Sequence, residues 1–294
     1  MNYGIIGGDL RIVNLAKMLT NDNNTVYVYG LESKLKLEDF ENKKMFLCNN
    51  LSEIAENSDF IISSIPFSKD NENINAPFST KQINIENALE NLKSKTIIAG
   101  SISKDILELA DKYNVKIIDI MKNEKLAILN AISTAEGTIQ VIMENTDKIM
   151  HGSNALILGF GRLGKVIANK LKILSVNVTC AARKESDFAW MQAYGYKKLD
   201  INNLDKNLYN FDIIINTVPS LILDKDKLEY INKNSLIVDL ASKPGGVDFE
   251  YAKQKGIKTI LALGLPGKVA PFTSAEFIKS VIYDTQTLMT DKSR

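Results

Sequence analysis

The chain has 294 residues, of which 45% are hydrophobic and 24% charged, with a net charge of +1 and two cysteines. This balance is typical of a globular protein with two domain-sized cores, and it excludes a disulfide-rich scaffold and a strongly basic nucleic-acid-binding surface. Gly, Lys or Pro interrupts the apolar runs far short of a membrane span, so we expect a cytoplasmic protein with neither nucleic acid nor membrane as a partner.

Short runs rich in Ile and Val alternate with segments of helical period in the first half of the chain. The predicted strands there are residues 3–7, 25–29, 44–48, 59–65, 96–100 and 116–120. This alternation is typical of a parallel sheet built from βαβ units. The polar segment 67–76 interrupts the pattern and is predicted to be a mobile loop.

The first predicted strand runs into a turn that resembles a phosphate-binding loop. Gly7 and Gly8 are followed by Asp9, which would repel an anion, and the third glycine of such a loop is missing. We therefore expect no second nucleotide there. Arg11 is a candidate for binding a substrate carboxylate, although an ordinary surface arginine accounts for it equally well. The neutral donors Ser64 and Ser68 follow another strand of the same domain and are further candidates for binding the substrate.

A long helical pattern without proline covers residues 124–148 and is predicted to link two domains. Gly137 lies within it, and glycine costs about 1 kcal/mol relative to alanine in a helix interior. We expect it to mark a break in the helix, the alternative being a close approach of the backbone to a ligand. The predicted organisation is a first domain at 1–123, this linker, and a nucleotide-binding domain at 149–271. The helical segment 272–294 is expected to pack back on the first domain and leave a cleft between the two.

The second half repeats the α/β pattern, with predicted strands at 154–159, 177–181, 212–217, 236–240 and 258–263. The fold class is therefore α/β, with two Rossmann-like doubly wound parallel-sheet domains. The first of these strands ends in a glycine fingerprint followed by a helix, the context that a dinucleotide pyrophosphate requires. The predicted cofactor contacts in this loop are Gly159, Phe160, Gly161, Arg162, Leu163 and Gly164.

The end of the next strand predicts which dinucleotide binds. No Asp or Glu stands there for a ribose 2′-hydroxyl, and the strand instead runs through Ala182 into Arg183 and Lys184. Two cations at this position favour the 2′-phosphate of NADP over NAD, although a solvated basic loop is the alternative.

Further cofactor contacts are predicted at the carboxyl ends of the later strands, where ligands of such sheets bind. Thr217, Val218 and Pro219 follow one strand, and Gly264 and Leu265 follow another. Turns with few bulky side chains would let a flat nicotinamide lie against the backbone, but ordinary turn chemistry gives the same composition.

The sequence offers few groups for moving protons. His151 is the one histidine, and it precedes the first strand of the nucleotide fold, so we expect a structural or interdomain role for it. The remaining candidates for catalysis are Glu136, Lys243 and Lys268. No Cys/His cluster has the spacing of metal ligands, and no metal is expected.

Several motifs together resemble the family of dipicolinate synthase A-subunits. They include the glycine loop, the Ser242–Gly246 and Gly264–Gly267 turns, and the motifs at 4–11, 135–139, 151–153 and 215–220. The resemblance implies NADP-dependent oxidation of dihydrodipicolinate, derived from 4-hydroxytetrahydrodipicolinate, to dipicolinate in the mother cell of a sporulating bacterium. It also implies a flavoprotein-like partner, the B-subunit of dipicolinate synthase.

The dicarboxylate substrate that the resemblance implies would need charged or donor groups. Arg11, Thr138, Lys243 and Lys268 are the candidates. An aromatising oxidation needs little general base, which agrees with the single histidine. The sequence leaves open a homo-oligomer and two other functions. One is an NADP oxidoreductase similar to shikimate dehydrogenase, and the other is a non-catalytic nucleotide-binding subunit that organises the flavoprotein.

Overall fold

The computed structural model describes residues 1–41, 44–242 and 244–291, and its strands form two six-stranded sheets. The first sheet contains β1 (Asn2–Ile6), β2 (Thr25–Tyr29), β3 (Met45–Leu47), β4 (Phe60–Ser63), β5 (Thr96–Ala99) and β6 (Lys116–Asp119). The second contains β7 (Asn154–Leu158), β8 (Asn177–Ala182), β9 (Lys197–Asp200), β10 (Ile213–Asn216), β11 (Leu236–Asp239) and β12 (Lys258–Leu261).

Helices lie between most of these strands. They are α1 (Leu10–Asn21), α2 (Leu51–Asn57), α3 (Ile85–Asn91), α4 (Lys104–Lys112), α5 (Glu124–Asn145), α6 (Arg162–Ile173), α7 (Glu185–Ala193), α8 (Lys225–Leu228), α9 (Phe249–Lys255), α10 (Leu265–Val269) and α11 (Pro271–Asp291). Short 3₁₀ helices cover Leu37–Phe40, Ile120–Lys122 and Asp205–Asn210.

The two sheets have the same topology. Their strand orders are β3-β2-β1-β4-β5-β6 and β9-β8-β7-β10-β11-β12, and the strand pairs found in the described residues are parallel. In both, the order reverses beside the first strand, which is the doubly wound Rossmann arrangement. The prediction of two Rossmann-like α/β sheets is confirmed.

Central strands such as β4, β10 and β11 form where Ile, Val and Leu follow one another, because both faces of a parallel sheet are covered by helices. One strand of the second sheet was not predicted. β9 contains Lys197, Lys198 and Asp200 and lies at the edge of its sheet, where charged side chains are common.

The chain divides into two compact units, one formed by residues 1–129 with the segment from Ala270 onward, the other by Asn130–Val269. In the first unit, Ala275, Ile278 and Val281 of α11 are buried in the core that also contains residues of α1. At the end of α1, Asp22 accepts hydrogen bonds from Lys279 Nζ at 2.8 Å and from the Tyr283 hydroxyl at 2.7 Å. The C-terminal helix therefore packs against α1.

Helix α5 runs through Gly137 without a break, so the predicted interruption there is wrong. A Cβ at this position would lie 3.0 Å from Leu265 Cβ and 3.1 Å from Val269 Cγ2. Glycine is used here because α10 packs closely against α5. By length and composition α5 is apolar enough to cross a membrane, and Leu126, Ala135 and Ile142 on it are fully buried within the protein.

The segment 67–76 is held by buried contacts, which the prediction of a mobile loop did not anticipate. Phe67 and Ile74 are 1% and 4% exposed. The Asn75 carbonyl accepts a hydrogen bond from Gly8 N at 3.0 Å. In the turn that resembles a phosphate loop, the Gly8 N–H is therefore already hydrogen-bonded to a protein carbonyl. Asp9 caps the following helix, α1.

Candidate nucleotide-binding site

The glycine loop between β7 and α6 has the geometry of a dinucleotide turn. Gly159 adopts φ +96°, which side chains rarely tolerate, and its N–H donates to the Ala181 carbonyl at 2.9 Å. A Cβ on Gly164 would lie 2.1 Å from the Gly159 carbonyl oxygen, so the helix passes too close to the turn for any side chain.

Gly161 occupies the middle of this turn and caps the amino end of α6. No heavy atom of the described residues lies within 4 Å of the position that its Cβ would take. The open space beside Gly161 is the room that a pyrophosphate needs to approach the first N–H groups of α6, and the helix dipole favours an anion there. The residues present therefore fit a dinucleotide.

A cavity of about 400 Å³ lies beside the turn, at the carboxyl edge of the second sheet. The sheet order reverses between β7 and β10 at this edge, which is where doubly wound folds bind ligands. Six predicted cofactor residues line the cavity: Gly159, Phe160, Ala182, Arg183, Lys184 and Val218.

The cavity contains more charges than the sequence indicated. Arg183 and Lys184 follow β8 and are exposed, but Asp187 from the first turn of α7 also lines the cavity. Lys227 contributes a third cation and forms an ion pair with Asp224 at 2.9 Å. The cations outnumber the carboxylates in the lining by three to one, which favours an anionic ligand.

The ion pair of Lys227 fixes the charge of its partner. Burial raises the pKa of Asp224, but hydrogen bonds from Lys227 Nζ and from the Lys227 backbone N–H lower it further, so that the net shift of the pKa is downward. Asp224 is therefore ionised at neutral pH and holds the Lys227 side chain beside the cavity.

Several cavity residues were not predicted from the sequence. They are Asp187, Ile201, Asn202, Ser220, Leu221, Ile222 and Lys227. Ile201 and Asn202 directly follow strand β9, so recognising that polar edge strand would have found both. Ser220, Leu221 and Ile222 continue the predicted Thr217–Pro219 segment, whereas Lys227 carries no signal in the sequence.

The other predicted cofactor residues do not line the cavity. Thr217 donates its hydroxyl to the Leu158 carbonyl at 2.8 Å, and Pro219 is exposed. Leu265 is 3% exposed and packs in the core of its unit, while Gly264 is exposed with φ +68°. Arg162 and Leu163 lie in the first turn of α6, exposed and half-buried respectively.

The predicted catalytic groups that lie within the described residues, Glu136 and Lys268, do not line the cavity. Glu136 is more than half exposed and forms an ion pair with Lys170 at 2.8 Å. Lys170 lies in the last turn of α6, at the opposite end of that helix from the glycine loop. Lys268 is exposed on α10, and Lys243 lies outside the described residues. His151 is exposed in the turn before β7, at the amino edge of the sheet. Among the described residues, no three metal-ligating side chains form a group.

Three predicted substrate residues are engaged with the protein's own backbone in this conformation. Thr138 is fully buried and donates to the Thr134 carbonyl at 2.7 Å. Ser64 is also fully buried and donates to the Phe67 carbonyl at 3.0 Å. Ser68 donates to the Asn73 carbonyl at 2.6 Å and so organises its own loop.

Arg11 is not the surface arginine that the alternative interpretation assumed. It is 7% exposed, and its guanidinium contacts both carboxylate oxygens of Asp9 and the Ile65 carbonyl oxygen. Asp9 caps α1 through the Arg11 backbone N–H. Arg11 therefore links α1 to the carboxyl end of β4.

Two family models match the chain. Residues 2–121 match the N-terminal domain of dipicolinate synthase A-subunits, and residues 131–242 match the NAD binding domain of D-isomer specific 2-hydroxyacid dehydrogenases. The second match covers the glycine loop and most of the cavity lining. The chain therefore carries a nicotinamide-nucleotide-binding domain of the dehydrogenase type.

Two relatives match over nearly the whole chain, and a third matches over less than half of it. The dipicolinate synthase A-subunit of Bacillus subtilis is 33% identical over 96% of this chain and 94% of its own length. A crystal structure of the dipicolinate synthase A chain from Bacillus subtilis superposes with a TM-score of 0.88, at 31% identity, over 99% of this chain and 97% of that one. A shikimate dehydrogenase (NADP(+)) of Methanococcus maripaludis is 28% identical over 43% of this chain and 50% of its own.

Proposed function

The chain belongs to the family of dipicolinate synthase A-subunits, and from this premise we propose that it is an NADP-dependent dehydrogenase subunit that oxidises dihydrodipicolinate to dipicolinate. The observation that carries the proposal is the cavity in which the glycine turn meets Arg183, Lys184 and Lys227. Cations beside the end of β8 are suited to a 2′-phosphate, because Arg binds phosphate bidentately and Lys adds a point charge.

The reaction balances without a further oxidant. 4-Hydroxytetrahydrodipicolinate loses water to give dihydrodipicolinate, which then loses a hydride and a proton to give the aromatic dipicolinate. Bound NADP⁺ supplies the acceptor for the hydride, and the proton passes to solvent or to a basic side chain. Aromatisation provides driving force, so the protein's main task is to bind and orient its ligands.

The substrate's two carboxylates need cationic partners, and Arg11 and Lys268 are the proposed ones within the described residues. Arg11 stays a candidate because its guanidinium lies at the carboxyl end of strand β4, although the ion pair with Asp9 already neutralises part of its charge. Glu136 and Lys268 stay candidates for proton transfer, and both are accessible to solvent. The proposal also includes the flavoprotein-like B-subunit of dipicolinate synthase as partner and a role in the cytoplasm of the mother cell during sporulation.

The test is a direct assay of product. Purified chain, alone and with the flavoprotein-like partner, is supplied with 4-hydroxytetrahydrodipicolinate and either NADP⁺ or NAD⁺. Formation of dipicolinate and of reduced nucleotide is followed by ultraviolet absorbance. We expect product with NADP⁺ in at least one of the two preparations. Binding of nucleotide without product in either preparation would favour a non-catalytic subunit that organises its partner.

A second candidate is an NADP oxidoreductase acting on a substrate similar to shikimate, which the partial match to shikimate dehydrogenases favours. Shikimate itself distinguishes the two candidates. The same preparations are given shikimate and NADP⁺, and the near-ultraviolet absorbance of the reduced nucleotide, NADPH, reports turnover. Turnover with shikimate and none with the dipicolinate precursor would replace the first proposal with the second.

A further inference from the structure

Two polar side chains are buried side by side at the carboxyl ends of β10 and β11. Asn216 and Asp239 are both 0% exposed, and their strands pair in register at these residues. Asn216 Nδ2 donates to Asp239 Oδ1 at 2.8 Å. A buried carboxylate is costly unless every oxygen is hydrogen-bonded, so these partners must stay in place for the charge to be tolerated.

Backbone N–H groups complete the hydrogen bonding of this carboxylate. Ala241 N donates to Asp239 Oδ1 at 3.0 Å, and Gly246 N donates to Asp239 Oδ2 at 2.9 Å. Asp239 therefore binds both ends of the turn that follows its strand. Hydrogen bonds to a charged acceptor are about twice as strong as neutral ones, so the backbone at Ala241 and at Gly246 is held firmly.

The Asn216 amide holds the neighbouring loop in the same way. Its Oδ1 accepts from Val218 N at 3.1 Å and its Nδ2 donates to the Val218 carbonyl at 3.0 Å. Val218 lines the nucleotide cavity, and a Cβ on Gly159 would lie 2.9 Å from Val218 Cγ2. The loop that Asn216 fixes thus packs directly on the first glycine of the nucleotide turn.

Gly246 connects the turn after β11 to a second residue of the cavity lining, Ile222. Its carbonyl accepts hydrogen bonds from Ile222 N at 3.0 Å and Leu223 N at 2.9 Å, and Ile222 lines the cavity. A Cβ on Gly246 would lie 2.0 Å from Asn216 Nδ2. The same Cβ would also lie 2.9 Å from the Val218 carbonyl oxygen, so glycine is required at 246 mainly by the Asn216 amide and also by the Val218 backbone.

We propose that Asp239 and Asn216 are positioning residues that hold the Val218 and Ile222 walls of the nucleotide cavity in the geometry for binding. Neither side chain lines the cavity, so both act through the backbone of the two loops. The proposal rests on the proposed nucleotide-binding function, since it assigns these residues to that cavity. It predicts that perturbing the pair loosens both walls together.

The first experiment is a double-mutant cycle with NADPH as the titrated ligand, followed by fluorescence. Gly246→Ala pushes a methyl group against the Asn216 amide and is expected to weaken NADPH binding about tenfold. Asn216→Ala removes that amide and weakens binding by itself. In the Asn216→Ala background the added effect of Gly246→Ala should fall to about threefold or less, because the collision with the amide is gone and only the 2.9 Å contact with the Val218 carbonyl oxygen remains.

The second experiment needs no nucleotide and uses Asp239→Asn with Asp212→Asn as the matched control. Asp212 also accepts a backbone N–H, from Asn154 at 2.9 Å, but at the amino edge of the same sheet. In Asp239→Asn one carboxylate oxygen becomes an NH₂ group, which is a donor. This NH₂ group then faces another donor, either the Gly246 N–H or the Asn216 and Ala241 N–H groups. Hydrogen exchange of the peptides covering 217–223 and 240–247 should then accelerate about tenfold or more, and in Asp212→Asn it should not.

The outcomes separate the two proposals. Additive effects in the cycle, or unchanged exchange in Asp239→Asn, would overturn the positioning role. Coupled effects and faster exchange confined to the two loops would support it. If the unmodified protein binds neither NADPH nor NADH, the proposed function fails, and the exchange experiment still decides whether the pair holds the two loops.

Discussion

Two glycines of the nucleotide turn should respond in opposite ways to the same substitution. In Gly164→Ala the new Cβ would lie 2.1 Å from the Gly159 carbonyl oxygen, whereas in Gly161→Ala it would meet no heavy atom of the described residues within 4 Å. The first change collides with the protein itself. The second occupies only the space that a pyrophosphate would enter.

The expected magnitudes follow from these contacts. A Cβ cannot lie 2.1 Å from a backbone oxygen, so Gly164→Ala must move α6 or the turn, at a cost of about 1–3 kcal/mol in unfolding free energy. Gly161 has an extended ψ of −162° at φ −78°, which alanine accepts. Gly161→Ala should change stability by less than about 1 kcal/mol, the usual effect at a helix N-cap.

Although Gly161→Ala should barely change stability, it should clearly weaken nucleotide binding. Losing one hydrogen bond to a charged phosphate costs about 1.5–3 kcal/mol, so affinity for NADPH and NADH should fall by a similar factor of about ten to one hundred. Urea unfolding measures stability, and fluorescence titration measures affinity. Unchanged affinity in a folded Gly161→Ala protein would refute the assignment of this turn to a pyrophosphate.

Three further predictions concern other parts of the chain. Arg183→Ala should weaken NADPH binding by about 1.5–3 kcal/mol and leave NADH nearly unaffected in titrations, with exposed Lys198→Ala as the control; equal losses for both nucleotides would contradict a 2′-phosphate role. Hydrogen bonds from Lys279 and Tyr283 lower the pKa of Asp22 in the folded protein. The contribution of ionised Asp22 to the free energy of unfolding is therefore fully present above the pKa of the unfolded chain, and it is lost as the pH falls through the lower pKa of the folded protein. Asp22→Asn should therefore cost up to about 1 kcal/mol in urea unfolding at pH 7, a difference that narrows below pH of about 4; a constant difference would rule out the ionic contact. Burial raises the pKa of the Cys48 thiol to about 11 and that of Cys180 to about 12, so iodoacetamide at pH of about 8 should label neither in the native protein and both after unfolding, as mass spectrometry would show.

Most strands could be predicted because their signal is local. The runs at 213–215 and 236–238 are apolar on both faces, as expected of a parallel strand covered by helices on both sides. Strand β9 could not be recognised in this way, because an edge strand is exposed and its Lys197 and Lys198 look like loop residues. Missing it also hid Asn202, which enters the cavity from its end.

The interpretation of single residues depended on neighbours that the sequence does not reveal. Gly137 was expected to break α5, but the helix continues, and the glycine makes room for α10. Arg11 was left open between a surface residue and a ligand, and its guanidinium is buried against Asp9. In each case the deciding contact comes from backbone or side chains whose position the local pattern does not specify.

The sequence by itself determined the two Rossmann sheets and the glycine turn, because apolar periodicity and the steric demands of glycine act within a few residues. Only the tertiary structure decided which charges share the cavity and which polar groups support it. Asp187 and Lys227 reach the same space from separate helices. Asn216 and Asp239 are 23 residues apart and meet because β10 and β11 are neighbours in the sheet, a pairing that depends on the packing of the whole domain.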